Sequence, residues 1–243
     1  MDRIEQLGDN LVNWLRKMVD MAGAQGVTVG ISGGLDSAVV AAICKKAFPA
    51  NTLGLIMPCH SIAEDLQHAR LVVEHLQIQW QIVQLDQIYD VFCATLQQGL
   101  GKEQPSTLAA ANLKPRLRMT TLYFYAAQFN YLVVGTSNLS ERAVGYFTKY
   151  GDGGVDLMPL GNLVKREVQE LAYYFDIPEI IITKPPSGGL WPGQTDETEM
   201  GLTYAQLDAY LRGAEIDIAS MRKIELMHKK SQHKRELPPI PQF

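Results

Sequence analysis

Four short apolar runs, each followed within a few residues by a stretch of helical period, constrain this chain more than any other feature. Residues 27–31 (VTVGI), 52–57 (TLGLIM), 80–85 (WQIVQL) and 131–134 (YLVV) read as strands. Residues 36–48, 62–76, 87–96 and 163–175 read as helices, with Pro49 and Pro178 just past two of their ends. One long helix is expected over 106–129, and Ile4, Leu7, Leu11, Leu15 and Val19 line one face of another near the start of the chain. Strands and helices in alternation build βαβ units, hence a parallel sheet covered on both faces. Two stretches interrupt the pattern, 145–154 (GYFTKYGDGG) and 185–201 (PPSGGLWPGQTDETEMG), and loops this long more often carry function than merely connect. Residues 238–241 (PPIP) read as an extended tail.

At 243 residues and 47% hydrophobic, the chain has apolar material for a full core and is expected to form a single domain, residues 1–243. Its first residues, Met1-Asp2-Arg3-Ile4-Glu5, are too polar for a signal peptide, and no apolar run approaches the roughly 20 residues that span a bilayer. A cytoplasmic location is expected. The net charge of −4 argues against broad nucleic-acid binding, leaving 229–235 (KKSQHKR) as a local basic patch. Cys44, Cys59 and Cys93 are widely spaced and read as reduced thiols rather than metal ligands or nucleophiles.

The first strand runs into Gly30-Ile31-Ser32-Gly33-Gly34-Leu35-Asp36-Ser37. Two hydroxyls, two glycines that admit a bulky anion, and the positive end of the next helix make a phosphate cradle. Asp36 sets a carboxylate beside those phosphates, which requires a cation such as Mg²⁺ between them. The loop lacks the Gly-Lys-Ser/Thr of a Walker A motif and the spacing of a dinucleotide fingerprint.

SGGLDS resembles the loop of the N-type ATP pyrophosphatases. The segment from Gly135-Thr136-Ser137-Asn138 through Glu141, Lys149 and Asp156 to Lys165 is similar to the signature of the NAD synthetase family within that superfamily. Residues 112–119 (NLKPRLRM) and 185–197 (PPSGGLWPGQTDE) extend the likeness over nearly the whole chain. The resemblance implies a doubly wound, Rossmann-like parallel sheet of five strands. It implies ATP-dependent amidation of deamido-NAD by ammonia through an adenylated intermediate, giving NAD, AMP and pyrophosphate.

By the same resemblance, ATP is held by Gly30, Ile31, Ser32, Gly33, Gly34, Leu35, Asp36, Ser37, Thr136, Lys165 and Ser187. Deamido-NAD is held by Arg116, Lys149, Asp156, His233 and Lys234, and Mg²⁺ by Asp36 and Glu141. Asp36, Glu141 and Lys165 are the catalytic set. Tyr146 and Phe147 are of a type to stack on a ring or simply to pack, and 187–203 is expected to fold over the adenylate. One departure stands out: Met57 follows the second strand where the family often carries an adenine-holding Arg. Glutamine-using relatives carry an amidohydrolase domain in front, so free ammonia is the expected donor, with a separate glutaminase subunit as the other source. A homodimer with interface active sites is expected, through the apolar faces of the first helix or of 117–129. The rival readings are a tRNA-modifying enzyme of the same chemistry, which needs cysteine pairs or a basic RNA-binding domain, and a non-catalytic adenine-nucleotide binder, which has no use for Asp36, Glu141 and Lys165 together.

Overall fold

The computed structural model describes residues 3–101, 103–189 and 193–242. Met1 and Asp2, and Leu190, Trp191 and Pro192 of the third family-like segment, lie outside the described residues. In chain order the elements are α1 (Arg3–Met21), β1 (Gly26–Gly30), α2 (Leu35–Ala47), β2 (Thr52–Ile56), α3 (Ala63–His75), β3 (Gln79–Ile82), α4 (Asp86–Leu100), α5 (Thr107–Ala111), α6 (Leu113–Phe129) and β4 (Tyr131–Val134). There follow α7 (Leu139–Val144), α8 (Lys165–Tyr174), α9 (Glu179–Ile182), α10 (Asp196–Met200), α11 (Tyr204–Leu211), α12 (Ile218–Lys230) and a 3-10 turn at Gln232–Lys234.

The strands are all parallel and lie in the order β3-β2-β1-β4. The chain thus leaves β1 toward one edge of the sheet and returns to pair with β1's other side, so the strand order reverses between β1 and β4. In such sheets the crevice beyond the carboxyl ends of those two strands is where ligands bind.

Side chains along β1 and β2 alternate between two cores, as strand period requires. Val27, Val29 and Ile31 face a cluster with α1, α2, α8 and α9, whereas Leu53, Leu55 and Met57 face a second with Leu122 and Ala126 of α6. A third cluster, Val144, Met200, Leu202, Tyr204, Leu207 and Ile224, joins α7 to the carboxyl-terminal helices.

Three expectations change. The fifth strand shrinks to one bridge, Leu157 against Val134. The Asp156 carboxylate takes the Val133 N–H at 2.8 Å, where a ladder would need a backbone acceptor, and Pro159 has no N–H to offer two residues on. The long helix over 106–129 breaks at Asn112, because Pro115 cannot donate to the carbonyl of Ala111 and its ring crowds that group. Finally, the apolar face of α1, expected at an interface, packs inside the fold: Val12, Leu15 and Val19 are buried in the core with α2 and α8.

Candidate active site

The loop after β1 is organised by its own serines. Ser37 Oγ donates to the Gly34 carbonyl at 2.9 Å and accepts from the Ser32 N–H at 3.3 Å, while Ser32 Oγ accepts from Gly34 N–H at 3.2 Å. Gly33 has φ +79°, and a Cβ there would stand 2.5 Å from the Asp65 carbonyl oxygen on α3. Only glycine fits so close a packing in that conformation. Among the described residues no side chain caps the start of α2 at Gly34. Its first N–H groups are therefore left without a side-chain cap, with the helix dipole behind them, as an anion site needs.

The segment after β4 answers this loop. Asn138 starts α7 with a capping box, accepting the Glu141 N–H at 3.0 Å while Glu141 Oε2 accepts its own N–H at 3.3 Å. The amide nitrogen of the same Asn138 donates to Asp36 Oδ1 at 2.9 Å. One fully buried side chain thus sets both acidic groups. Thr136 is half-buried in the same turn.

Lys165, the first residue of α8, puts its ammonium on Asp36 Oδ2 and 3.9 Å from Glu141 Oε1. A lysine opposes the positive end of its own helix. Asp208 of α11 offsets this by accepting the N–H groups of Lys165 at 3.3 Å and Arg166 at 2.8 Å. Burial would lower the Lys165 pKa, but the charges of Asp36 and Glu141 outweigh it and hold the ammonium above its ordinary value. Burial, then the charge of Asp36, pushes the Glu141 carboxyl up to about 8 against the pull of Lys165.

Asp196 and Arg118 lie in the family-like segments 185–197 and 112–119, but the sequence reading assigns neither a role. Asp196, 4% exposed, accepts from Tyr204 Oη at 2.9 Å through Oδ2, while its Oδ1 is buried without a hydrogen-bond partner. Tyr204 Oη also reaches Glu141 Oε1 at 3.4 Å, so Asp196 is a third carboxyl of this cluster. Burial raises its pKa. Its signal was present, an Asp in the 185–201 loop, but nothing in spacing ties that loop to Lys165. Arg118 of α6 donates to the Met57 carbonyl at 3.1 Å and to Ser61 Oγ at 3.3 Å. A guanidinium thus stands at the carboxyl end of β2 although Met57 itself is buried in the core.

Of the remaining expected residues, Arg116, Lys149 and His233 are linked to one another, while Asp156, Lys234 and Ser187 have other partners. Arg116 donates to the Lys149 carbonyl at 3.4 Å, and the Lys149 ammonium donates to the His233 carbonyl. The Asp156 carboxylate is held by Tyr123 Oη at 3.0 Å and by β4. Lys234 turns its ammonium inward onto the Gly145 and Phe147 carbonyls, each at 2.7 Å. Beside it, Arg235 and His228 bind the carbonyls of Arg142 and Ala143, so the basic patch clamps the carboxyl end of α7. Tyr146 Oη donates to Glu199 Oε2 at 2.7 Å, and Phe147 lies under Lys234. Ser187 is exposed, its hydroxyl accepting the Gly189 N–H at 3.2 Å.

Known proteins similar to this chain are numerous. The sequence profile of the NAD synthase family matches residues 7–238. The chain is 53% identical over 237 residues to an NH(3)-dependent NAD(+) synthetase of Carboxydothermus hydrogenoformans, covering 98% of this chain and 97% of that protein. Among solved structures, an NMN synthetase from Francisella tularensis superposes with a TM-score of 0.94 at 39% identity, over 100% of both chains. An NH3-dependent NAD synthetase from Campylobacter jejuni gives 0.82 at 30% identity, again over 100% of both.

Proposed function

Because this chain belongs to the NAD synthase family, we propose that it is an ammonia-dependent NAD synthetase, amidating deamido-NAD at the expense of ATP. The observation that carries this reading is the convergence of Asp36, Glu141 and Lys165 on the uncapped start of α2 at the strand-order reversal. A protein that only held an adenine nucleotide would have no use for two acids set on a buried lysine. A tRNA-modifying enzyme is disfavoured by the near-complete coverage of the NAD synthetase relative.

The phosphates of ATP lie over residues 30–37, against the N–H groups of α2 and the Ser32 and Ser37 hydroxyls, with Thr136 and Ser187 completing the contacts. The nicotinate carboxylate attacks the α-phosphate, pyrophosphate leaves, and ammonia then displaces AMP from the acyl carbon. Lys165 neutralises charge that grows on the phosphates as pyrophosphate departs. Arg116, Lys149, Asp156 and His233 bind deamido-NAD, and alignment of the two substrates supplies the remaining acceleration. Lys234 joins that set only by exchanging the carbonyls it now caps.

Mg²⁺ fits the site. Asp36 and Glu141 are fixed by Asn138, and the buried Oδ1 of Asp196 lacks a partner nearby. Among the described residues no group of three His, Cys, Asp or Glu side chains has metal-holding geometry of its own. That suits an ion that takes its other ligands from phosphate and water. When bound, it would neutralise the phosphates between Asp36 and Glu141.

We read residues 1–243 as one domain, which the profile match over 7–238 supports. A homodimer is supported by exposed apolar side chains on neighbouring helices, Ile88, Val91, Phe92 and Leu96 of α4 and Phe124 and Phe129 of α6. A cytoplasmic setting accords with the free thiols of Cys44, Cys59 and Cys93. Among the described residues no helix is long and apolar enough to cross a membrane.

The likeness to an NMN synthetase favours a second reading, amidation of the mononucleotide counterpart to give NMN. Purified protein with ATP, Mg²⁺ and ammonium decides between them. Equal amounts of AMP and NAD, dependent on deamido-NAD and lost in Asp36→Ala, are the expected result. NMN from the mononucleotide at higher kcat/KM supports the second reading, and AMP without any acceptor sinks both.

A further inference from the structure

Lys165 approaches the phosphate loop from the β4 side. A second lysine stands on the β2 side. Lys184, between α9 and the 185–201 loop, donates to Asp65 Oδ1 at 2.6 Å, and its ammonium lies 3.5 Å from the Gly33 carbonyl of the phosphate loop itself. The pair is largely withdrawn from water, with side-chain exposures of 18% for Lys184 and 21% for Asp65. Its place is fixed by packing, because the first turn of α3 backs directly onto Gly33.

A carboxylate so close to a polyphosphate site would repel the ligand if it stood alone. Lys184 cancels that charge. An ammonium has three N–H donors. Among the described residues, those of Lys184 have two acceptors, Asp65 and the Gly33 carbonyl. One donor is left uncommitted at the edge of the loop.

We propose that Lys184 is a second phosphate-binding cation of this site, contacting the pyrophosphate portion of ATP from the β2 side while Asp65 holds its ammonium at the loop. The assignment rests on residues 30–37 binding the phosphates of ATP, and it adds a residue to that site. Lys184 then belongs to substrate binding, and Asp65 is a positioning residue that never touches ATP.

Lys184→Gln and Asp65→Asn separate this from a purely structural strap, because both break the same ion pair and only one removes the cation. The measurement is inhibition of the full-length enzyme by inorganic pyrophosphate, together with KM for ATP and for deamido-NAD. Lys184→Gln is expected to weaken pyrophosphate inhibition and raise KM for ATP by about tenfold or more, with KM for deamido-NAD little changed. Asp65→Asn keeps the ammonium and is expected to bind pyrophosphate as well as wild type or better. Equal weakening in both variants means a strap and overturns the proposal, as does unchanged inhibition in Lys184→Gln. Thermal melts check folding. If Lys184→Gln does not fold, Lys184→Arg and Asp65→Asn decide: retained inhibition in both upholds the assignment, and loss in Asp65→Asn overturns it. Wild-type protein that makes no AMP would instead refute the ATP reading on which the assignment rests.

Discussion

Glu141 is held where a carboxylate is least at ease, with 15% of its side chain exposed and another acid beside it. Its pKa is raised from an ordinary 4.5 to about 8, so between those values the unfolded chain gives up a proton that the native chain keeps. Stability of the metal-free protein therefore falls as pH rises through that window. In Glu141→Gln this component is removed, and a melting series from pH 5 to 9 should show a shallower decline; an unchanged slope would contradict the assigned shift. Lys165 acts on departing charge, so Lys165→Met should lower kcat by about 10²–10³ with a smaller change in KM for ATP, measured by steady-state kinetics. Asp36 was singled out by its place in the loop after the first strand, and Glu141 and Lys165 by the resemblance to the NAD synthetase family. Asp196, Asp208 and Arg118 were not, since each reaches the site from an element whose approach only tertiary packing determines. The same holds for Lys234, whose inward turn onto two carbonyls no spacing announces.

Among the elements, α7 is a short one with catalytic consequences, six residues that a propensity argument would not have kept as a helix. Its existence follows from its ends. Asn138 caps one and the 228–235 segment covers the other. Asn138→Ala removes the cap and the Asp36 partner together, and is expected to cost about 1–2 kcal/mol in urea denaturation. ATP turnover should fall in the same variant, whereas unaltered turnover would mean that Asp36 needs no such support. The strands β1, β2 and β4 and helices α1, α2 and α3 were readable from apolar period. The break at Asn112 was readable in principle from Pro115, but the apolar stretch beyond it masked the signal. The fifth strand failed for a subtler reason, since the Asp156 side chain takes a backbone donor that a strand needs. The helices α11 and α12 went unread because each is held by contacts distant in sequence, with Leu207 and Ile224 in the third cluster.

For the molecule as a whole, the proposed dimer needs a surface to meet a second copy. Helices α4 and α6 expose Phe92 at 42% and Phe124 at 67%, while the apolar side of α1 is buried inside the fold. Phe124→Glu is expected to turn a dimer into a monomer in size-exclusion chromatography with light scattering, leaving the far-ultraviolet circular dichroism unchanged; a dimer that persists would move the interface elsewhere. The clamp on α7 has a consequence in time. A chain emerges from the ribosome amino end first. Residues 228–235, the end of α12 and the turn after it, are the last elements of the described fold in the chain, so the carbonyls at the end of the short helix bearing Glu141 wait longest for their partners. The carboxyl end of α7 is therefore the last part of this site to gain its partners.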